Sequence, residues 1–170
     1  PQNIWPINQL FNGLVQLNKD LNIEAEIASS WSVSPDGLIY TFYLRNDVYF
    51  YESPIFGEKK TRKVEAKDFV FSFDRLKDPL VASPGSWILQ NVENYEATAE
   101  DILTITLKNP FPAFLGLLTM RYCSVVPQEV TTYYGVNFRS NPIGTGPFYF
   151  KRWDENVKLV LLKNQKYFEK

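Results

Sequence analysis

The stretch Ser34-Pro35-Asp36-Gly37-Leu38-Ile39-Tyr40-Thr41-Phe42-Tyr43-Leu44-Arg45 sets the fold class. Pro35 presets its own φ, and Gly37 supplies the left-handed position of a tight turn. Leu38, Tyr40, Phe42 and Leu44 then alternate with Ile39, Thr41 and Tyr43. A period of two with β-branched and aromatic residues reads as a strand with two usable faces. Trp31 to Val33 lead into the turn, so the unit is a β-hairpin. Two more antiparallel pairs follow the same grammar. Residues 92–98 and 102–107 form one, closed by Asn109-Pro110. Residues 148–153 and 157–162 form the other, around Asp154-Glu155-Asn156. Short strands are expected at 48–51 and 124–126.

Helices separate these hairpins. Ala66, Phe69, Val70, Phe73 and Leu76 recur at i, i+3, i+4, i+7 and i+10, which predicts an amphipathic helix that Asp78-Pro79 ends. Ile4, Ile7, Leu10, Phe11, Leu14 and Val15 predict an opening helix, with Asn3 as N-cap and Pro6 in the first turn. Residues 17–31 read as an extended segment and a turn. Residues 80–91 are irregular, broken by Ser83-Pro84-Gly85. Short helices are expected at 112–119 and, after Pro127, at 128–134, with a Gly/Pro loop at 141–147. The basic cluster Lys59, Lys60, Arg62 and Lys63 reads as a solvated loop. Strands that pair locally, with helices set apart, make a mixed α+β fold rather than a βαβ series.

Composition removes several chemistries. At 170 residues the chain is long enough to bury roughly 70% of its unfolded surface without staples. It has no histidine, so Ser-His-Asp and Cys-His catalysis and His-ligated metal sites are excluded. A single cysteine, Cys123, allows no internal disulfide and no thiolate metal cluster, and its apolar neighbours mark it as a buried small side chain. No metal or cofactor is expected. Eighteen basic residues against 19 acidic ones, with no basic block, argue against a nucleic-acid partner. No apolar run reaches the ~18 residues of a membrane span. The chain opens at Pro1 without methionine or leader and is read as a processed or excised piece.

Six ordered segments together resemble bacterial extracellular solute-binding protein family 5, the peptide- and nickel-type receptors of ABC importers. The segments are Leu10-Phe11-Asn12-Gly13-Leu14-Val15, Ile27-Ala28-Ser29-Ser30-Trp31 with the hairpin quoted above, and Val64-Glu65-Ala66-Lys67-Asp68-Phe69-Val70-Phe71-Ser72. They continue with Leu107-Lys108-Asn109-Pro110-Phe111-Pro112-Ala113-Phe114-Leu115, Pro142-Ile143-Gly144-Thr145-Gly146-Pro147-Phe148 and the run from Asn164 to Phe168. The resemblance implies a type II periplasmic-binding fold, in which two hinged lobes close over a solute and the first lobe carries an added subdomain. Mapped here, residues 12–126 are the added subdomain, while 1–11 and 127–170 make a split, incomplete lobe I with the second lobe absent. It further implies a non-catalytic protein, periplasmic or extracellular, with a lipid anchor before Pro1 left open. Its partners would be a peptide or other small solute, ABC permease subunits in the membrane and the second lobe of the full-length protein. Departures from the pattern are Glu65 where the family often has Thr, Gly85 where peptide receptors can carry an aromatic, and Phe168 in place of Trp.

Cleft-facing candidates follow from the resemblance and from position between elements: Gly85, Ser86 and Trp87 on one loop, Met120, Arg121 and Tyr122 on another, and Gly144 with Thr145. Gly144-Thr145-Gly146 lacks the Lys-Ser/Thr of a phosphate loop and leads into a strand, so it also reads as a turn that sets strand entry. An alternative reading is an autonomous carbohydrate- or peptide-binding β-rich module, with Trp5, Trp87, Tyr133 and Tyr134 as its aromatic platform. A two-carboxylate hydrolase would use Glu24 with Glu26, or Asp154 with Glu155, and nothing in the sequence places either pair in a pocket.

Overall fold

The computed structural model describes residues 6–154 and 157–169. Its centre is a four-stranded antiparallel sheet of order β3-β4-β6-β5. The strands are β3 (Ala28–Val33), β4 (Ile39–Leu44), β5 (Val92–Ala99) and β6 (Ile102–Leu107). The turn reading holds in detail: Gly37 has φ 72°, the Asp36 carboxylate accepts from Leu38 N–H at 3.1 Å, and Val33 faces Tyr40. One face of this sheet is apolar throughout, with Tyr40, Phe42, Leu103, Ile105 and Leu107 all buried.

The amphipathic helix (Ala66–Lys77) lies on that face through Phe69, Phe73 and Leu76. Two small hairpins flank the sheet: β1 (Val15–Leu17) with β2 (Ile23–Ala25), and β7 (Phe148–Asp154) with β8 (Lys158–Lys163). The mixed α+β expectation is met, with three antiparallel sheets and short helices between them.

Three local expectations change. The opening helix ends early, at Ile7–Leu10, because Phe11 turns to extended backbone (φ -132°, ψ 148°). Leu14 and Val15 are buried, but Leu14 leads into β1 and Val15 opens it, so neither lies on a helix face. Asn3 and Ile4 lie outside the described residues. The strand expected at 48–51 is a single bridge, Tyr49 to Lys63. The strand expected at 124–126 is irregular and follows a 3₁₀ turn at Arg121–Cys123, held by Val125 N–H donating to the Asn12 carbonyl at 2.9 Å.

The loop at 52–63 is not wholly solvated. Lys59 and Lys60 are exposed, but Arg62 turns inward. Its guanidinium pairs with Asp68 at 2.7 Å and Glu129 at 2.6 Å and lies over the Phe50 ring at 5.0 Å. Asp68 also accepts from Glu65 N–H at 2.9 Å, which caps the helix where Glu65 alone is a weak cap. The arginine thereby ties the loop to both this helix and the one at Gln128–Tyr134.

Candidate functional site

Two adjoining cavities lie where the connections between elements converge. The first, about 200 Å³, is walled by Phe11, Tyr122, Phe138, Val81, Ser83 and Arg121. The second, about 270 Å³, is more polar and includes Asn8, Gly13, Gln16, Glu26 and Met120. Phe11, Arg121 and Ser124 line both, so they form one bent cleft. A separate groove of about 600 Å³, lined by Tyr49, Tyr51, Tyr149 and Lys163 among others, contains none of the expected site residues.

Close packing creates the first cavity. Gly85 is buried, and a methyl group there would overlap the Tyr122 ring. The absent side chain lets the 83–87 loop and the 120–124 turn touch. Ser86 and Trp87 open the 3₁₀ turn Ser86–Leu89, exposed and outside the cavity lining, with Trp87 46% exposed. Met120 and Tyr122 are also well exposed, as a solute-contacting surface requires. Phe11 and Phe138 face each other with ring centroids 6.2 Å apart.

Gly144 and Thr145 do not line either cavity. Thr145 is buried, and its hydroxyl donates to Asn12 Oδ1 at 2.8 Å. Thr145 and Gly146 N–H groups both donate to the Leu10 carbonyl, at 3.1 and 3.0 Å. A side chain at Gly144 would overlap that carbonyl and press on the Phe11 ring. Gly144 thus backs the Phe11 ring and Thr145 holds Asn12, both outside the cavity linings, which fits a turn that sets strand entry.

Sequence reasoning missed the most unusual group in the cleft. Glu26, which the sequence offers only beside Glu24 as a candidate carboxylate pair, is buried while Glu24 is exposed. Alternation fails here because Glu26, Ile27 and Ala28 are all buried at the corner between β2 and β3. Their three N–H groups donate to carbonyls of Gly13 and Leu14. Each Glu26 oxygen accepts one bond, from Asn12 Nδ2 at 2.7 Å and from Gly13 N–H at 2.6 Å. Burial pushes its carboxyl up to about 7, against those two bonds, and Glu169 and Glu24 push the same way. Asn12 also donates to the Tyr167 hydroxyl at 3.2 Å, joining the C-terminal segment to this cluster.

The remaining candidates stay apart from the cleft. Cys123 is buried, with its thiol pushed up to about 12 by burial, the opposite of an activated nucleophile. Asp154 pairs with Arg152 at 3.2 Å, and Glu155 lies outside the described residues. Tyr133 and Tyr134 stack edge-on at 5.0 Å on the helix Gln128–Tyr134, and Trp5 lies outside the described residues.

Glu26 makes stability pH-dependent. In the unfolded chain its carboxyl titrates near 4.5, and in the folded protein near 7. The folded state binds more protons between those values, so stability falls as pH rises through that window and is lowest above it. The expected loss between pH 4 and pH 8 is about 3 kcal/mol from this one group. Chemical denaturation at those two pH values, compared with Glu26→Gln, measures it; the same slope in both proteins would contradict the assignment.

Known proteins share this architecture. The family model described as bacterial extracellular solute-binding proteins, family 5 Middle, matches residues 22–170. A probable di/tripeptide-binding protein 5 of Pseudomonas aeruginosa is 33% identical over 94% of this chain and 33% of its own length. The glutathione-binding protein GsiB of Escherichia coli O157:H7 is 28% identical over 85% of this chain and 27% of its own. Among solved structures, the periplasmic binding protein DppA from Helicobacter pylori in complex with the peptide STSA superposes with TM-score 0.82 at 33% identity. That match covers 94% of this chain and 34% of DppA. OppA of Haemophilus influenzae, in complex with the peptide RPPGFSPFR, gives 0.83 at 28% identity over 95% of this chain and 34% of its own. The chain thus spans about a third of the length of the relatives it matches. With the family model matching from the first small hairpin to the last residue, and the fold matching over nearly the whole chain, the chain belongs to the bacterial extracellular solute-binding proteins of family 5.

Proposed function

We propose that this chain is the first-lobe part of a two-lobed receptor that captures short peptides outside the cytoplasmic membrane, in the periplasm or extracellular space, and delivers them to ABC permease subunits. The observation that carries this reading is the 33% identity to a di/tripeptide-binding protein over 94% of the chain. The bent cleft fits it. Phe11, Tyr122 and Phe138 offer apolar walls, and irregular backbone around Arg121 and Ser124 offers groups for an extended peptide main chain. Closure of a second lobe over this face would bury the solute and strengthen its hydrogen bonds. In this reading residues 12–126 form the added subdomain, and 1–11 with 127–170 contribute to lobe I. The protein is a carrier rather than an enzyme.

Calorimetric titration with di- to pentapeptides tests the proposal. The full-length protein is expected to bind at least one at micromolar affinity or tighter, and this 170-residue chain alone to bind far more weakly. Failure of the full-length protein to bind any peptide would overturn the reading, as would equally tight binding by the chain alone. Gly85→Ala provides a local check, because the new methyl displaces the Tyr122 ring. Peptide affinity should fall about tenfold or more, since small misplacements at a packed site are costly, and stability should fall with it, because the methyl meets Tyr122 at Cβ and Cγ, which move only with the backbone of the 120–124 turn. Unchanged affinity would remove Tyr122 from the cleft wall.

A further inference from the structure

The apolar arm of the cleft gathers hydrogen-bond donors from three separate elements and no acid. Phe11, Val81 and Phe138 wall this cavity of about 200 Å³, and no aspartate or glutamate lines it. Arg75 lines it from the last turn of the helix Ala66–Lys77. This arginine is half-buried, and among the described residues no hydrogen bond, ion pair or aromatic ring engages its guanidinium. No buried side-chain polar atom among the described residues lacks a partner, so the guanidinium N–H groups reach open space. The helix dipole does not require Arg75, because Lys77 already places a cation in that turn, exposed and over the Tyr95 ring at 5.4 Å. Ser83 enters from the 83–87 loop, and Ser124 follows the 3₁₀ turn Arg121–Cys123. Ser83 Oγ accepts from Gly85 N–H at 3.3 Å, and neither hydroxyl donates to a described residue. Arg121 lines the same cavity with its side chain already engaged, so Arg75 is the cation left for a solute. Glu26, the acid of the adjoining cavity, does not line this one.

We propose that Arg75 is a specificity residue, and that with the Ser83 and Ser124 hydroxyls it receives a carboxylate of the bound solute, from the peptide's C-terminus or from an acidic side chain. This rests on the peptide-receptor reading above and names a subsite within it. A guanidinium presents its donors in a planar fork that matches the two oxygens of a carboxylate. The solute brings acceptors to a cavity whose polar side chains offer donors, and a charge to a cation with no ion-pair partner among the described residues. The apolar walls keep the local dielectric low, so the pair strengthens when a second lobe covers it.

The test uses the full-length protein and two sets of tripeptides at pH 7. In one set glutamate occupies each position in turn, matched to glutamine, which has the same shape and no charge. In the other a neutral tripeptide is compared as free acid and as C-terminal amide. One carboxylate peptide should bind at least about tenfold tighter than its neutral partner, the scale of one charge-assisted bond. The set that shows the preference tells a side-chain carboxylate from the terminal one. Arg75→Gln should abolish that preference and leave the affinity of the neutral partner within about twofold, and Arg75→Lys should keep part of it. Thermal melts of Arg75→Gln should match the parent, since no hydrogen bond or ion pair of the fold goes with the side chain. If tripeptides bind without a carboxylate preference, or the preference survives in Arg75→Gln, the subsite is wrong and the receptor reading stands. The subsite is also wrong if Arg75→Gln weakens charged and neutral peptides alike, because the arginine then serves the fold or the second lobe. If no tripeptide binds, the receptor reading itself has failed and the subsite with it.

Discussion

Arg62→Ala is expected to lower the stability of the protein by about 3–5 kcal/mol, the cost of breaking a buried ion pair from one side. Asp68 is 2% exposed and receives two bonds from the guanidinium, at 2.8 and 2.7 Å. Without Arg62 its described partner is the Glu65 N–H, too little for a charge removed from water. The stacks on Phe50 at 5.0 Å and Phe56 at 5.6 Å go with it. Glu129 loses a partner too, but its carboxylate is 44% exposed and water replaces the arginine. Glu129→Gln alone should therefore cost under about 1 kcal/mol. Adding Asp68→Asn to Arg62→Ala removes the stranded charge and keeps an acceptor for the helix cap, so the double variant should recover a large part of the loss. Urea denaturation of the three variants gives the answer. A loss under 1 kcal/mol for Arg62→Ala would mean that Asp68 is solvated after all.

The second large effect is expected at Gly144. A methyl there overlaps the Leu10 carbonyl, which already accepts from the Thr145 and Gly146 N–H groups and from the Tyr51 hydroxyl. Neither side can yield cheaply, because the obstacle is backbone and a methyl at Gly146 would likewise come within 2.5 Å of the Gln9 carbonyl oxygen. Gly144→Ala should cost about 3 kcal/mol through overpacking and strained hydrogen bonds. It should also weaken peptide binding, since the same residue backs the Phe11 ring. Gly116→Ala is the matched control. It lies in the helix Phe114–Leu118 with nothing near the added methyl, so it should be neutral or stabilising by about 0.5–1 kcal/mol. Thermal melts of the two variants separate packing at one glycine from backbone freedom at the other.

The hairpins and the long helix were legible in the sequence because their signals are local. Gly37 and Pro35 fix a turn whose residues are adjacent, and the spacing of Phe69, Phe73 and Leu76 repeats on one helix face. The end of the opening helix was not legible, since Leu14 and Val15 continue its spacing but are claimed by contacts with residues 25–28. Arg62 looked like one more charge in a basic loop; only folding brings it to Glu129, 67 positions along the chain. Glu26 was hidden for the same reason, because a carboxyl becomes unusual through what buries it. Of the expected site, the 83–87 and 120–122 loops do meet, through the gap left by Gly85. Gly144 and Thr145, expected to face the cleft, lie outside its lining and hold Leu10 and Asn12.

The central claim is that this chain belongs to a receptor whose solute is a short peptide. Native mass spectrometry of the full-length protein, mixed with an equimolar library of di- to pentapeptides, tests it most directly. The account predicts a one-to-one adduct whose mass, released by collision and fragmented, reads as a peptide. A protein that takes up none of the library, or that exchanges a bound sugar or metal complex for none of it, would contradict the claim.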